Sequence, residues 1–291
     1  MKKIAIVTDT NSGFIPEEAK QFDNLFLIPM PFTIDGEEYL EYINLSQQEF
    51  YEKLKANADI STSQPGIGIV MELWDKILKD YDEIVHIPMS SSLSKSCETA
   101  KLFSQEYNGK VQVVDNQRIS VTLKQSVIDA INLARDGKDA EEIKTYLEET
   151  KRDSSIYIMV DTLKYLKKGG RITPAAAMIG TLLKIRPVLQ IQGGKLDSFA
   201  KVLNEKVGKM KMISAMKKDF ETRFDSFVKN DEMVLYVAYT NCREKAELFA
   251  EQIKAEFPNT PIKFIESLPL SIACHIGDGS IAVASARRYK K

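Results

Sequence analysis

Two short stretches of the sequence concentrate hydroxyl donors: Ser61-Thr62-Ser63-Gln64-Pro65-Gly66 and Met89-Ser90-Ser91-Ser92-Leu93-Ser94. Each precedes a segment with helical periodicity. A helix start offers unpaired N–H groups and the positive end of its dipole, which suits an anion. Capping alone uses one hydroxyl, so three in succession at 61–63 exceed what a cap needs. Pro65 and Gly66 fix the backbone around them. A third polar run, Thr8-Asp9-Thr10-Asn11-Ser12, follows the apolar residues Ile4 to Val7. Open parallel sheets take ligands beyond the carboxyl ends of their strands, although this run also reads as an ordinary cap and turn.

Cationic and imidazole groups come from the second half of the chain. In Leu166-Lys167-Lys168-Gly169-Gly170-Arg171-Ile172 the paired glycines let the backbone turn and aim Arg171. A guanidinium suits bidentate contact with carboxylate or phosphate; a solvated basic turn is the plainer reading. The chain has two histidines. His86 falls in an apolar run and reads as structural. His275 is followed by Gly277 and Gly279 and reads as a loop residue open to close approach by a ligand. The sequence holds no Gly-x-Ser-x-Gly, His-Glu-x-x-His, Gly-x-Gly-x-x-Gly or Walker pattern.

The elements that must position these groups alternate. Ile4 to Val7, Leu25 to Ile28, Ile84 to Ile87 and Val111 to Val114 read as strands. Helices are expected at 46–56, 66–79, 95–107 and 118–135, the first opening on the capping box Ser46-Gln47-Gln48-Glu49. This alternation predicts a mainly parallel sheet with helices on both faces. Asp35-Gly36 marks a hairpin. A charged helical stretch at 139–151 leads to a boundary between an N-terminal α/β domain, 1–153, and a C-terminal α/β domain, 154–291. Strands are expected there at 156–160, 188–191, 233–237, 262–265 and 281–284. Helices are expected at 174–184, 204–228 and 243–257. Gly193-Gly194 should turn into a strand near 196–200, giving a mixed sheet. The apolar segment Pro174 to Leu183 reads as a core helix or as the wall or lid of an apolar tunnel.

Composition narrows the partners. Lys and Arg total 40 against 41 Asp and Glu, for a net charge of -1, so nothing electrostatic favours a nucleic acid or an anionic membrane. Three widely spaced cysteines, Cys97, Cys242 and Cys274, indicate neither a disulfide framework nor a zinc site. The opening apolar run is too short for a signal sequence, and no stretch approaches a membrane span. The expectation is a cytoplasmic protein with no metal and no cofactor.

The ordered motifs resemble the DegV family, the fatty-acid-binding FakB proteins of bacteria. The matching pieces are Thr8-Asp9-Thr10, Thr62-Ser63-Gln64-Pro65, Ser91-Ser92-Leu93-Ser94, Leu166 to Ile172, Arg186-Pro187-Val188-Leu189 and Leu270 to Gly277. They lie in family order over nearly the whole chain. The resemblance implies a two-domain α/β fold with a long-chain fatty acid held between the domains. It places the carboxylate on residues matching Thr62 and Ser94, with Ser63, Ser92 and His275 near the head. It also implies a partner, a FakA-like ATP-dependent kinase that converts the bound carboxylate to acyl phosphate for phospholipid synthesis, with Arg171 working alongside that kinase. On that reading the chain is a carrier with no catalytic residue of its own. The chain departs from the family at Ser94-Lys95-Ser96-Cys97, at Gly277-Asp278-Gly279 and at Asn11-Ser12-Gly13. Two other readings stay open: a hydrolase using Ser94 or Ser92 with His275 as base, and a phosphosugar- or dihydroxyacetone-binding kinase subunit.

Overall fold

The computed structural model describes residues 2–178 and 185–291 and divides into two compact units, Met1–Arg152 and Asp153–Lys291. In the first unit the elements run β1 (Ile4–Asp9), α1 (Pro16–Ala19), β2 (Leu25–Ile28), β3 (Pro31–Ile34), β4 (Glu37–Leu40), α2 (Gln47–Lys55), β5 (Ile60–Thr62), α3 (Ile67–Ile77), β6 (Glu83–Ile87), α4 (Ser96–Ser104), β7 (Val111–Val113), α5 (Ser120–Arg135) and α6 (Ala140–Glu149). β2, β1, β6 and β7 form one sheet in that order, parallel throughout. β4, β3 and β5 form a small antiparallel sheet. Asp35 and Gly36, with φ of 51° and 88°, make the turn between β3 and β4. The capping box at Ser46 is present, with the Ser46 hydroxyl accepting from the Glu49 N–H.

Register decides which residues face which helices. Val7 pairs with His86 and His86 with Val113, so these side chains share a face with Asp9 and Ile28. Val70, Trp74 and Ile77 of α3 and Cys97 and Ala100 of α4 cover that face. α5 lies against β1, and α6 against β6 and β7.

His86 sits inside this apolar layer. It is 3% exposed, its ring meets Trp74 edge-on at 5.5 Å, and its Nδ1 makes no hydrogen bond among the described residues. Burial pushes its pKa down from 6.5 to about 3. The native state therefore refuses a proton that the unfolded chain accepts, so the stability from the neutral ring is full above about pH 6.5 and is lost as pH falls toward 3. Asp9 works in the opposite sense, but equally in wild type and variant. Between about pH 7 and pH 4.5, wild type is expected to lose roughly 2–3 kcal/mol more stability than His86→Phe, at about 1.4 kcal/mol per pH unit. Denaturant titration of both proteins at the two pH values checks this.

The second unit runs β8 (Ser154–Met159), α7 (Lys164–Gly169), α8 (Pro174–Ala177), β9 (Arg186–Ile191), β10 (Asp197–Val202), α9 (Glu205–Thr222), α10 (Asp225–Lys229), β11 (Met233–Tyr239), α11 (Arg243–Glu256), β12 (Ile262–Ser267), α12 (Leu270–Ile276) and β13 (Ile281–Arg287). Its strand order is β10-β9-β8-β13-β11-β12. Only the β11–β12 pair is parallel; the other four are antiparallel. The last strand, β13, inserts between β8 and β11. Met212, Met216 and Phe220 of α9 pack with Phe249, Ala250 and Ile253 of α11 in the core against this sheet. The single helix expected at 204–228 is two, because the chain turns at Arg223 and Phe224 between α9 and α10. The helix and lid expected at 174–184 are described only through α8 and Met178; 179–184 lie outside the described residues. Among the described residues no helix is long and apolar enough to cross a membrane.

Candidate functional site

In the first unit the hydroxyl loops follow from strand ends and helix starts. β6 ends at Ile87, beside the end of β1. The chain then makes a tight turn around buried Ser90. The Ser90 carbonyl accepts the Leu93 and Ser94 N–H groups at 3.0 and 3.1 Å. Its hydroxyl accepts the Ser92 N–H at 3.3 Å, and its own N–H donates to the Arg118 carbonyl at 3.0 Å. Ser91 is turned away, donating its hydroxyl to Asp115 at 2.7 Å. The Ser94 hydroxyl accepts the Ser96 N–H at 3.2 Å at the start of α4, which leaves its proton to donate elsewhere. Ser92 and Ser94 are half-buried.

Thr62 belongs to β5 rather than to a loop: it is the last residue of that strand, half-buried and opposite Phe32. Ser63 is exposed and donates its N–H to the Pro31 carbonyl at 3.3 Å. Gly66 precedes α3 without a side-chain cap. The first segment meets the helix that follows the second, because the Thr99 hydroxyl of α4 donates to the Gln64 side-chain oxygen at 3.2 Å. Between them lies a cavity of about 20 Å³ with Gln64, Pro65, Ser96 and Thr99 around it and Asp9 and His86 among its walls. The structure thus places the Ser90–Ser94 turn beyond the carboxyl ends of β1 and β6, with Gln64 in hydrogen-bond contact with α4, the helix that follows that turn.

The other candidates, Arg171 and His275, belong to the second unit. α7 ends at Gly169, and Gly170 takes the left-handed conformation, φ 67°, with its N–H on the Leu166 carbonyl at 3.0 Å. That turn directs Arg171 back to donate to the Gly169 carbonyl. His275 is not in a loop. It occupies the last turn of α12, and Gly277 ends that helix with φ 89° and ψ 179°. The glycines past the helix end gave the sequence a loop-like look. A Cβ on Gly169 would stand 2.3 Å from His275 Nδ1, so a side chain there would collide with the ring. Burial first, then the Arg171 charge, push the His275 pKa down to about 4. The imidazole is neutral at neutral pH, with a guanidinium nearby.

Three residues at the departures noted in the sequence have plain structural roles. Lys95 pairs with Glu98 at 2.7 Å. Cys97 is buried in the core under α4, and burial pushes its thiol up to about 12, so it is not a reactive group. Asp278 accepts from the Asn241 amide at 3.4 Å. Among the described residues no three His, Cys, Asp or Glu side chains gather as metal ligands. Sequence reasoning noted Asp9 only as part of a polar run. Its burial, and its bond to the Met89 N–H across the sheet, depend on strand order and carry no local signal.

The profile of the DegV family, described as uncharacterised proteins of that family, matches residues 3–288. A DegV domain-containing protein of Clostridium perfringens is 31% identical over 97% of this chain and 97% of its own. Among solved structures, DegV of Bacillus subtilis, a fatty acid binding protein, is 28% identical with a TM-score of 0.82, covering 99% of this chain and 100% of its own. The structure of fatty acid binding by a DegV family protein from Thermus thermophilus is 25% identical with a TM-score of 0.85, covering 98% and 99%. The mixed α/β architecture matches these structures. With a family match running nearly end to end, this chain belongs to the DegV family.

Proposed function

We propose that this chain binds a long-chain fatty acid and presents its carboxylate to a separate, FakA-like ATP-dependent kinase, which forms acyl phosphate for phospholipid synthesis. The observation that carries the reading is that Gln64, in the hydroxyl segment before α3, bonds to Thr99 of α4, the helix that the Ser90–Ser94 turn leads into. Thr62 and Ser94 are assigned to the carboxylate, with Ser63, Ser92 and His275 in support. Arg171 is assigned to work with the kinase. The likeness to two fatty-acid-binding relatives supports the ligand.

Burying a methylene stabilises by about 0.8 kcal/mol, so about fifteen give roughly 12 kcal/mol before association costs of several kcal/mol. A buried carboxylate needs donors or it takes up a proton. Hydroxyls and helix N–H groups supply them without an ion pair that would block an oxygen from attacking a γ-phosphate. A cation such as Arg171 steadies charge in phosphoryl transfer. The chain has no Walker sequence of its own, which suits a cytoplasmic carrier rather than a kinase.

A serine hydrolase fits less well. Its histidine needs an orienting acid and a pKa near neutral. The charge acting on His275 is that of Arg171, and the ring sits at about 4. The test is titration of delipidated protein with labelled oleate, followed by addition of the partner kinase and ATP. Saturable one-to-one binding and kinase-dependent acyl phosphate are expected. Ester hydrolysis by the chain alone, lost in Ser94→Ala, would replace this reading.

A further inference from the structure

Asp9 closes β1 with a carboxylate that is 2% exposed. One oxygen accepts the Asn11 N–H at 3.0 Å and the other accepts the Met89 N–H at 3.0 Å. The two donors belong to different chain segments, one following β1 and one following β6. Met89 is the residue before Ser90, and Ser90 is the hub of the turn that carries Ser92 and Ser94. The turn therefore hangs from Asp9 at its root.

This arrangement costs stability. A buried carboxylate without a cation is expensive. Burial pushes Asp9 up to about 6, against the pull of the Met89 and Asn11 hydrogen bonds. His86, which lines the same cavity, stays neutral and supplies no counter-charge. An asparagine would avoid the burial cost but not the geometric one. Its side chain has one acceptor oxygen and one donor nitrogen, so it cannot accept from both N–H groups with separate atoms.

We infer that Asp9 is a positioning residue for the ligand head group: by bracing the Met89 N–H from the end of β1, it fixes the turn that presents Ser92 and Ser94. The inference rests on the carboxylate reading of that turn for its ligand, but the bracing itself does not.

The test uses the full chain and Asp9→Asn, with two readouts. Amide exchange and amide NMR shifts of residues 89–94 are measured without ligand, and oleate affinity is measured separately. In wild type the Met89 amide is expected to be protected and shifted downfield. In the variant, exchange at Met89, Leu93 and Ser94 should rise at least tenfold while sheet amides of β1 and β6 hold. Oleate Kd should rise about tenfold, and the melting temperature at neutral pH should stay level or increase. An unprotected Met89 amide in wild type overturns the inference without recourse to any variant. Unchanged exchange in Asp9→Asn overturns it too, as does faster exchange with unchanged affinity. If wild type binds no oleate, the ligand reading fails by itself, and the exchange data still decide the brace.

Discussion

Replacing Thr62 and Ser94 together by alanine is expected to weaken long-chain fatty acid binding at least a hundredfold while leaving the fold intact. Hydrogen bonds to a charged group contribute about 1.5–3 kcal/mol each, so two lost donors amount to roughly 3–6 kcal/mol. Neither residue is part of the core. Thr62 ends β5, and its backbone pairing with Phe32 does not need the hydroxyl. Ser94 accepts the Ser96 N–H, so its loss should cost about 1 kcal/mol of stability as a lost cap. The single variants should each lose about tenfold or more, with partial coupling because both donors serve one carboxylate. The apolar tail contact survives, so weak binding should remain and be less sensitive than in wild type to replacing the acid by its alcohol. Fluorescence or calorimetric titration of the four proteins checks this.

Gly277→Ala is expected to be a strongly damaging small substitution next to His275. Gly277 has φ 89° and ψ 179°, a region that is essentially glycine-only and costs another residue about 1–3 kcal/mol. An added Cβ would also stand 2.8 Å from the Tyr165 ring. Together these predict a loss of about 3 kcal/mol and a displaced end of α12, taking His275 with it. Tyr165→Ala in the same chain should relieve the ring contact but not the backbone strain, so rescue should be partial. Gly194→Ala is the control. Its Cβ would meet nothing within 4 Å and its φ is not in the left-handed range, so it should change stability by less than about 0.5 kcal/mol. Equilibrium denaturation of these variants decides between strain and mere sensitivity of the region.

Much of this architecture was legible because local chemistry agreed with the final fold. Ser46 with Glu49 starts α2, and Asp35-Gly36 turns β3 into β4. The apolar runs at 4–7, 25–28 and 84–87 became neighbouring parallel strands. What escaped was nonlocal. β8, β11 and β13 are buried on both faces, so their runs look like parallel-sheet core, and nothing in them announces antiparallel pairing. β5 is three residues long, too short to show a period, and so Thr62 read as loop. His275 read as loop because Gly277 and Gly279 follow it, although Leu270 to Ile276 wind into a helix. The Gly169–His275 contact joins residues far apart in sequence. The Asp9–Met89 brace likewise exists only because β1 and β6 lie side by side. The hydroxyl segments were visible as composition, whereas the contact of Gln64 with Thr99 required the packing of α4.

Native mass spectrometry of the protein purified without lipid or detergent tests the central claim most directly. The account predicts a population heavier than the bare chain by the mass of one long-chain fatty acid, reduced in the Thr62→Ala, Ser94→Ala double variant. A bare mass in repeated preparations, with no such adduct after incubation with oleate or stearate, would contradict it.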